Sequence, residues 1–160
     1  MIVRFHRPVI NVADMEQSLA FYRDILGLTV ASDNRSSDSG REALRAAIGE
    51  AFGLTNPDLR WVILEITGGP DRLGLGREIE LLQWFDPKPR PVSSLRSCYD
   101  NGVSWCAFDV HGVNELYDRL KKVGIQFLST VAERQTPNGP RGSCRALDPD
   151  GYIVELHGTI

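Results

Sequence analysis

The sequence predicts an α+β protein made of two tandem βαβββ modules that form one curved mixed sheet with a concave pocket. In each half, strand-like alternation of apolar residues is interrupted by one helix-like stretch. Each of these stretches ends at a glycine, in LGL at 26–28 and in VGI at 123–125. The last predicted strand of each half carries a Glu-Leu pair, at 80–81 and at 155–156. A repeated unit that cannot cover its own sheet must pair with its copy, so the two halves are predicted to act together.

The first module is predicted over residues 1–85. Residues 5–13 alternate like a strand, and Asp14 then caps a helix, with Gln17 completing a capping box. Gly27 ends that helix. Its apolar residues at helical spacing are Met15, Leu19, Tyr22, Ile25 and Leu26. The other elements predicted in this half are strands at 28–31, 59–67 and 77–85 and a short helix at 41–54.

A proline-rich polar linker over residues 86–100 leads to the second module, predicted over 101–160. Its helix is expected at 113–123, with Leu116, Leu120 and Val123 on one face. The strands are expected at 104–110, 125–129, 142–147 and 152–157, with a loop at 136–142 and the turn DPDG before the last strand. At 160 residues the whole chain is expected to be a single domain.

Composition limits the classes of partner. The net charge is −3 without a basic stripe, so no nucleic-acid partner is expected. No apolar run approaches 18 residues and the start lacks the features of a signal peptide, so no membrane contact and a cytoplasmic location are expected. The three cysteines, Cys98, Cys106 and Cys144, form no CxxC motif and are predicted to be free thiols.

Two segments carry a resemblance to a known family. NVADMEQSLAFYRDILGL at 11–28 and DPDGYIVEL at 148–156 resemble the opening strand and helix and the closing hairpin of the vicinal oxygen chelate superfamily. This family includes glyoxalase I, extradiol dioxygenases and bleomycin resistance proteins. The resemblance implies a divalent metal site whose four ligand positions fall on Arg7, Glu80, Trp105 and Glu155. Both carboxylates are retained, but neither an arginine nor an indole can replace a histidine as a metal ligand.

The resemblance and the strand alternation together give the candidate site. Arg7 is predicted to replace the metal by bridging Glu80 and Glu155, and these three residues are the catalytic candidates. The predicted substrate-binding residues are Asn11, Leu82, Trp105, Asp109 and His157. His6 is expected to face the other way, and His111 is expected at the surface. An equally weighted alternative is that Arg7 and the two acids form a structural ion network that holds the modules in register.

Three functions remain open on the sequence alone. The preferred one is a metal-independent enzyme, an isomerase, epimerase or lyase, acting on a small organic molecule. The second is a non-catalytic protein that sequesters an aromatic or cationic small molecule between Trp84, Trp105 and an acidic pocket. The third is a metalloenzyme with a rearranged site formed by Glu80, Glu155 and His157. No cofactor other than such a metal is expected, and residues 32–58 and the linker are expected to take part in a homodimer.

Overall fold

A computed structural model describes residues 6–67, 77–89 and 105–160. The chain divides into two compact units, Met1–Pro91 and Val92–Ile160. The boundary between them falls within the stretch predicted as a linker, 86–100, of which 90–100 lies outside the described residues, as does Cys98. The organisation of 1–160 as one domain, with modules at 1–85 and 101–160, stays a prediction.

The first unit has one four-stranded sheet and two α-helices. The elements are β1 (Val9–Asn11), α1 (Met15–Leu19), β2 (Thr29–Arg35), α2 (Glu42–Phe52), β3 (Asp58–Glu65) and β4 (Glu78–Asp86). The strand order in the sheet is β1-β4-β3-β2. β1 runs parallel to β4, and the other pairs are antiparallel.

The second unit repeats this arrangement with one helix. The elements are β5 (Trp105–Val110), α3 (Val113–Lys122), β6 (Ala132–Thr136), β7 (Gly139–Leu147) and β8 (Ile153–Thr159). The strand order is β5-β8-β7-β6, with β5 parallel to β8. The α+β class and the tandem βαβββ modules are therefore confirmed. Because the first strand of each unit pairs with the last strand of the same unit, the single sheet predicted for the chain is corrected to two four-stranded sheets.

The first helix begins at the predicted cap and then changes its winding. Asp14 Oδ1 accepts hydrogen bonds from the backbone amides of Glu16 and Gln17 at 2.9 and 3.1 Å. These hydrogen bonds, led by the one from Gln17, hold the pKa of the Asp14 carboxyl below its usual value. From Ala20 to Ile25 the chain forms a π-helical segment, which ends before Gly27 at a positive φ of 84°.

The π-helical winding explains why Phe21 lies in the core, although the regular spacing of an α-helix does not place it there. Phe21 and Tyr22 are adjacent, yet both are at most 1% exposed, and their rings meet edge to face at 4.9 Å. A π-helical turn takes up an extra residue, so two neighbouring side chains can both enter the core. Met15 and Leu19, as predicted, are buried beside them.

In the second unit the strand after α3 lies further along the chain than predicted. Residues 125–129 were expected to form it, but there only Phe127 makes an isolated bridge, to Ala146. The strand is β6, and a tight turn at Pro137-Asn138 joins it to β7. The polar, largely exposed residues of β6 lack the apolar alternation on which the sequence argument relied, because this strand lies at the edge of its sheet.

The described cysteines are both free thiols, as predicted for Cys106 and Cys144. Burial raises the pKa of the Cys144 thiol to about 11, so this side chain is an uncharged part of the core. Among the described residues no helix is both long and apolar enough to span a membrane.

The parallel pairing of β5 with β8 requires a residue without a side chain at position 158. Gly158 lies opposite Val110, and a Cβ atom there would be only 1.9 Å from the Val110 carbonyl oxygen. We expect Gly158→Ala to lower the free energy of unfolding by more than about 3 kcal/mol, because the backbone of the ladder must move. Urea unfolding followed by circular dichroism measures this loss.

The matched control is Gly124→Ala in the same unit. Gly124 has a φ of 87°, and a Cβ atom there would have open space around it. Alanine should therefore lower the free energy of unfolding by only about 1–2 kcal/mol, because of the left-handed backbone conformation. Equal losses in the two variants would show that the close approach at Gly158 does not constrain the sheet.

An ion pair at the start of β3 should make stability dependent on pH. Arg35 Nη2 and Nε donate to the two oxygens of Asp58 at 2.6 and 3.1 Å, and these hydrogen bonds lower the pKa of that carboxyl. Because the pKa of Asp58 is lower in the folded protein, the ion pair stabilises the fold at pH values above the unfolded pKa of about 3.9. This stabilisation is lost as the pH falls through the folded pKa. Because Arg35 is 42% exposed, we expect only about 0.5–1 kcal/mol.

Chemical denaturation of the wild type and Asp58→Asn between pH 7 and pH 2.5 tests this contribution. The difference in free energy of unfolding should be largest at neutral pH and should vanish at the acidic end. A difference that is independent of pH would contradict an ionic role for Asp58.

Candidate functional site

The candidate residues of the first unit share the sheet face that does not carry the apolar core. Along β1 the side chains of Val9 and Asn11 are exposed, whereas Ile10 between them is buried. Along β4 Leu81 is buried, while Glu80 and Leu82 are half-buried on the opposite face. The period of two in the strands thus places the predicted residues on one open face.

Arg7, just before β1, is held against this face by two carboxylates of β4. Its Nε donates to Glu80 Oε2 at 2.8 Å, and its Nη1 donates to Glu78 Oε2 at 2.5 Å. Desolvation acts to lower the pKa of Arg7, but the hydrogen bonds that Arg7 donates to Glu80 and Glu78 raise it overall, so the guanidinium stays charged. The predicted pair of Arg7 and Glu80 is present.

The second carboxylate on Arg7 is Glu78, whereas the sequence argument assigned that place to Glu155. Glu78 lies two residues before Glu80 on the same strand and therefore on the same face. Alternation alone could have identified it. These two hydrogen bonds use Nε and Nη1 of Arg7 and Oε2 of Glu80, so Nη2 of Arg7 and Oε1 of Glu80 take no part in them.

Two aromatic side chains lie further along the first sheet, at the Asn11 end of β1. Trp84 follows Leu82 on β4, and its Nε1 donates to Asn11 Oδ1 at 3.1 Å. Phe52, at the end of α2, meets the Trp84 ring edge to face at 5.9 Å. Asn11 is therefore oriented by a tryptophan, and α2 brings an aromatic ring to the open face.

In the second unit the retained carboxylate has a different arginine. Glu155 on β8 lies opposite Arg145 on β7, and Arg145 Nη2 donates to Glu155 Oε1 at 3.2 Å. The same guanidinium lies 5.5 Å from the ring centre of Trp105, which is 37% exposed. The arginine beside the ring of Trp105 is therefore Arg145.

Asp109 and His157 lie side by side on the same face. They are partners in the ladder between β5 and β8, and His157 Nδ1 is 3.2 Å from Asp109 Oδ1. Arg141 Nη2 donates to the same Asp109 oxygen at 3.0 Å, and Arg134 Nη2 is 3.3 Å from His157 Nε2. Sequence reasoning missed both arginines, because it placed residues 134 and 141 outside any strand.

The two units place their glutamates at equivalent points of the ladder. In each unit the glutamate of the last strand pairs with a residue of the parallel first strand, Val9 with Glu80 and Ala107 with Glu155. Counting two residues back along each chain leads to Arg7 in one unit and Trp105 in the other. The internal repeat predicted from the Glu-Leu pairs therefore extends to the register of the strands.

The residues at the four metal-ligand positions do not fit a resident divalent metal. Arg7 and Trp105 have no lone pair to donate, and both glutamates are in ion pairs with arginine. Within residues 6–67, 77–89 and 105–160 no group of three or more His, Cys, Asp or Glu side chains is gathered to hold a metal ion.

The three histidines are either exposed or in contact with charged side chains. His6 and His111 are exposed. His157 has its ring nitrogens directed at Asp109 and Arg134, so both are already engaged. The rearranged metal site of Glu80, Glu155 and His157 stays a hypothesis that a metal titration can test.

Comparison with known proteins places this geometry in a family. Residues 4–156 match the model of the Glyoxalase/Bleomycin resistance protein/Dioxygenase superfamily. A search of curated proteins gives no match.

Solved structures similar to this chain have the same fold at low sequence identity. A glyoxalase family protein from Bacillus cereus is 19% identical with a TM-score of 0.77, over 99% of this chain and 95% of that one. One from Enterococcus faecalis is 22% identical with a TM-score of 0.57, over 98% of each chain. The fosfomycin resistance protein FosX from Listeria monocytogenes is 17% identical with a TM-score of 0.58, over 100% of this chain and 94% of that one. The chain belongs to the glyoxalase, bleomycin resistance protein and dioxygenase superfamily, also known as the vicinal oxygen chelate superfamily.

Proposed function

We propose that this protein is a metal-independent enzyme that moves a proton on a small organic molecule with an acidic C–H bond beside a carbonyl group. The observation that carries the proposal is the pair of Arg7 and Glu80, in which Arg7 Nε donates to Glu80 Oε2 at 2.8 Å and Glu80 Oε1 takes no part in this hydrogen bond. A base and an oxygen-binding cation in contact are what such a proton transfer needs.

The chemistry divides between these two side chains. Glu80 takes the proton from the carbon, and the electron pair of the broken C–H bond moves to the carbonyl oxygen. Arg7 holds the resulting oxyanion through its remaining N–H groups. Return of the proton from Glu80 to the neighbouring carbon completes an isomerisation, and loss of a leaving group from that neighbouring carbon completes a lyase reaction. Protonation of the original carbon from its opposite face by water, with release of the proton on Glu80 to solvent, completes an epimerisation.

Glu78 has a positioning role in this proposal. Because it accepts from Nη1 of Arg7 while Glu80 accepts from Nε, the guanidinium is fixed in orientation before any substrate binds. Preorganised donors stabilise a developing charge without reorganisation during the reaction.

The other candidate residues also have proposed roles. Glu155 is proposed as the second acid–base group, and its charge is balanced by Arg145. Asn11, Leu82, Trp105, Asp109 and His157 are proposed to contact the substrate. The protein is proposed to work in the cytoplasm on small molecules, without nucleic acid or membrane as partners.

A non-catalytic binding function is the second candidate, and the exposed ring of Trp105 favours it. An exposed tryptophan with an arginine beside it can hold an aromatic ligand by stacking. The acidic pocket expected for a cationic ligand receives no support, because Glu80 and Glu155 are each paired with an arginine. The binding alternative is therefore kept for aromatic ligands.

Replacing the proposed base separates catalysis from binding. A panel of small 2-oxo acids and 2-hydroxy ketones in D₂O, followed by proton NMR, reports deuterium incorporation at the carbon beside the carbonyl group. We expect Glu80→Gln to slow the exchange that the wild type catalyses by about 10²–10⁴-fold, because the base is lost. Ligand-induced shifts in melting temperature should remain, since glutamine keeps the size of the side chain.

The matched control is Arg23→Gln, which removes an exposed arginine that pairs only with its neighbour Asp24 among the described residues. This variant should exchange at the wild-type rate. Exchange that persists unchanged in Glu80→Gln would remove Glu80 from the mechanism. Tight one-to-one binding of a divalent transition metal that is lost in Glu155→Ala would contradict the metal-independent proposal.

A homodimer is proposed from the exposed apolar residues of α2, which lies within the 32–58 region. Phe52 is 66% exposed and Leu44 is 41% exposed, so apolar surface remains for a second copy. Light scattering should give twice the chain mass of 17.8 kDa, and Phe52→Ser with Leu44→Ser should shift the protein towards the monomer. A wild-type monomer at working concentration would end this proposal.

A further inference from the structure

Two arginines of the second sheet lie directly opposite each other. Arg134 on β6 and Arg141 on β7 are paired in the antiparallel ladder, and both approach the ring of His157. Their guanidinium groups therefore project from the same face. Like charges directly opposite each other on neighbouring strands destabilise a sheet, so this arrangement requires a reason.

The neighbouring acids do not balance this charge. Asp109 is in an ion pair with Arg141, at 3.0 Å. Glu155, the other carboxylate on the open face of β8, is paired with Arg145. Among the described residues Arg134 has no carboxylate partner, and its contact is the imidazole of His157. One guanidinium charge on this face is left over.

The ring of His157 lies between the two arginines and Asp109. Its Nε2 is 3.3 Å from Arg134 Nη2, and its Nδ1 is 3.2 Å from Asp109 Oδ1. Arg141 Nη2 is 3.5 Å from the same Nδ1. The imidazole separates the two arginines without neutralising them.

We propose that Arg134 and Arg141 form a recognition site for an oxyanion group of the ligand, a carboxylate or a phosphate. Two guanidinium forks on adjacent strands present several N–H donors to one anionic group, and arginine binds such groups through paired hydrogen bonds. The anion supplies the charge that the sheet lacks. That the anion is part of the substrate rests on the function proposed above. The existence of an anion site at Arg134 and Arg141 does not depend on that function.

Replacement of Arg134 should affect stability and anion binding in opposite directions. Arg134 is exposed on an edge strand and repels Arg141, so Arg134→Gln should leave the melting temperature unchanged or raise it. If Arg134 had only a structural role, its replacement would lower the melting temperature. The same variant should lose affinity for oxyanions.

The experiment is an NMR titration of the intact protein with inorganic phosphate and, separately, with succinate. Ionic strength is held constant with sodium chloride, because screening alone shifts exposed charged groups. We expect saturable shifts of the Arg134 and Arg141 side-chain signals and of the β6 and β7 amides. Arg134→Gln should weaken binding at least tenfold, whereas Arg23→Gln should bind as the wild type does.

The stronger of the two probes identifies the group recognised, a phosphate or a carboxylate. Shifts that fail to saturate, or that are equal in the wild type and Arg134→Gln, would overturn the inference. A lowered melting temperature in Arg134→Gln with unchanged anion affinity would also overturn it. Because this titration does not depend on Glu80 or on turnover, a failure here is distinct from a failure of the proposed proton transfer.

Discussion

In each unit the last strand places a glutamate, Glu80 or Glu155, on the open face of its sheet. The rest of the structure depends on providing a cation for this carboxylate. A half-buried carboxylate without a counter-charge is costly, so it must find a cation or take up a proton. Glu80 finds Arg7 and Glu155 finds Arg145. A guanidinium therefore accompanies the carboxylate of the last strand in each unit.

The two units solve this problem with arginines from different strands. In the first unit the cation precedes β1, at the position that holds Trp105 in the second unit. In the second unit it comes from β7, directly across from Glu155. The position of the glutamate is thus fixed by the parallel ladder, while its counter-ion is free to come from either neighbouring strand. This freedom allows an arginine, Arg7, at one position of the first unit and a tryptophan, Trp105, at the equivalent position of the second.

Sequence reasoning succeeded where a residue and its partner are set by local geometry. The cap at Asp14, the alternation that exposes Glu80 and the contact of Arg7 with Glu80 all follow from strand or helix periodicity and a family resemblance. Sequence reasoning failed for contacts that depend on how strands distant in sequence pair with each other. Arg145 can be matched to Glu155 only when the register of β7 on β8 is known. β6 was missed because an exposed edge strand has no apolar period to detect.

The charges that remain indicate how the two faces differ chemically. Among the described residues of the first sheet, Glu78 and Glu80 converge on the single guanidinium of Arg7. Among those of the second sheet, Arg134, Arg141 and Arg145 lie with two acids, Asp109 and Glu155. The two carboxylates on Arg7 hold its guanidinium in a fixed orientation, which lets a cation stabilise a developing negative charge without reorganisation.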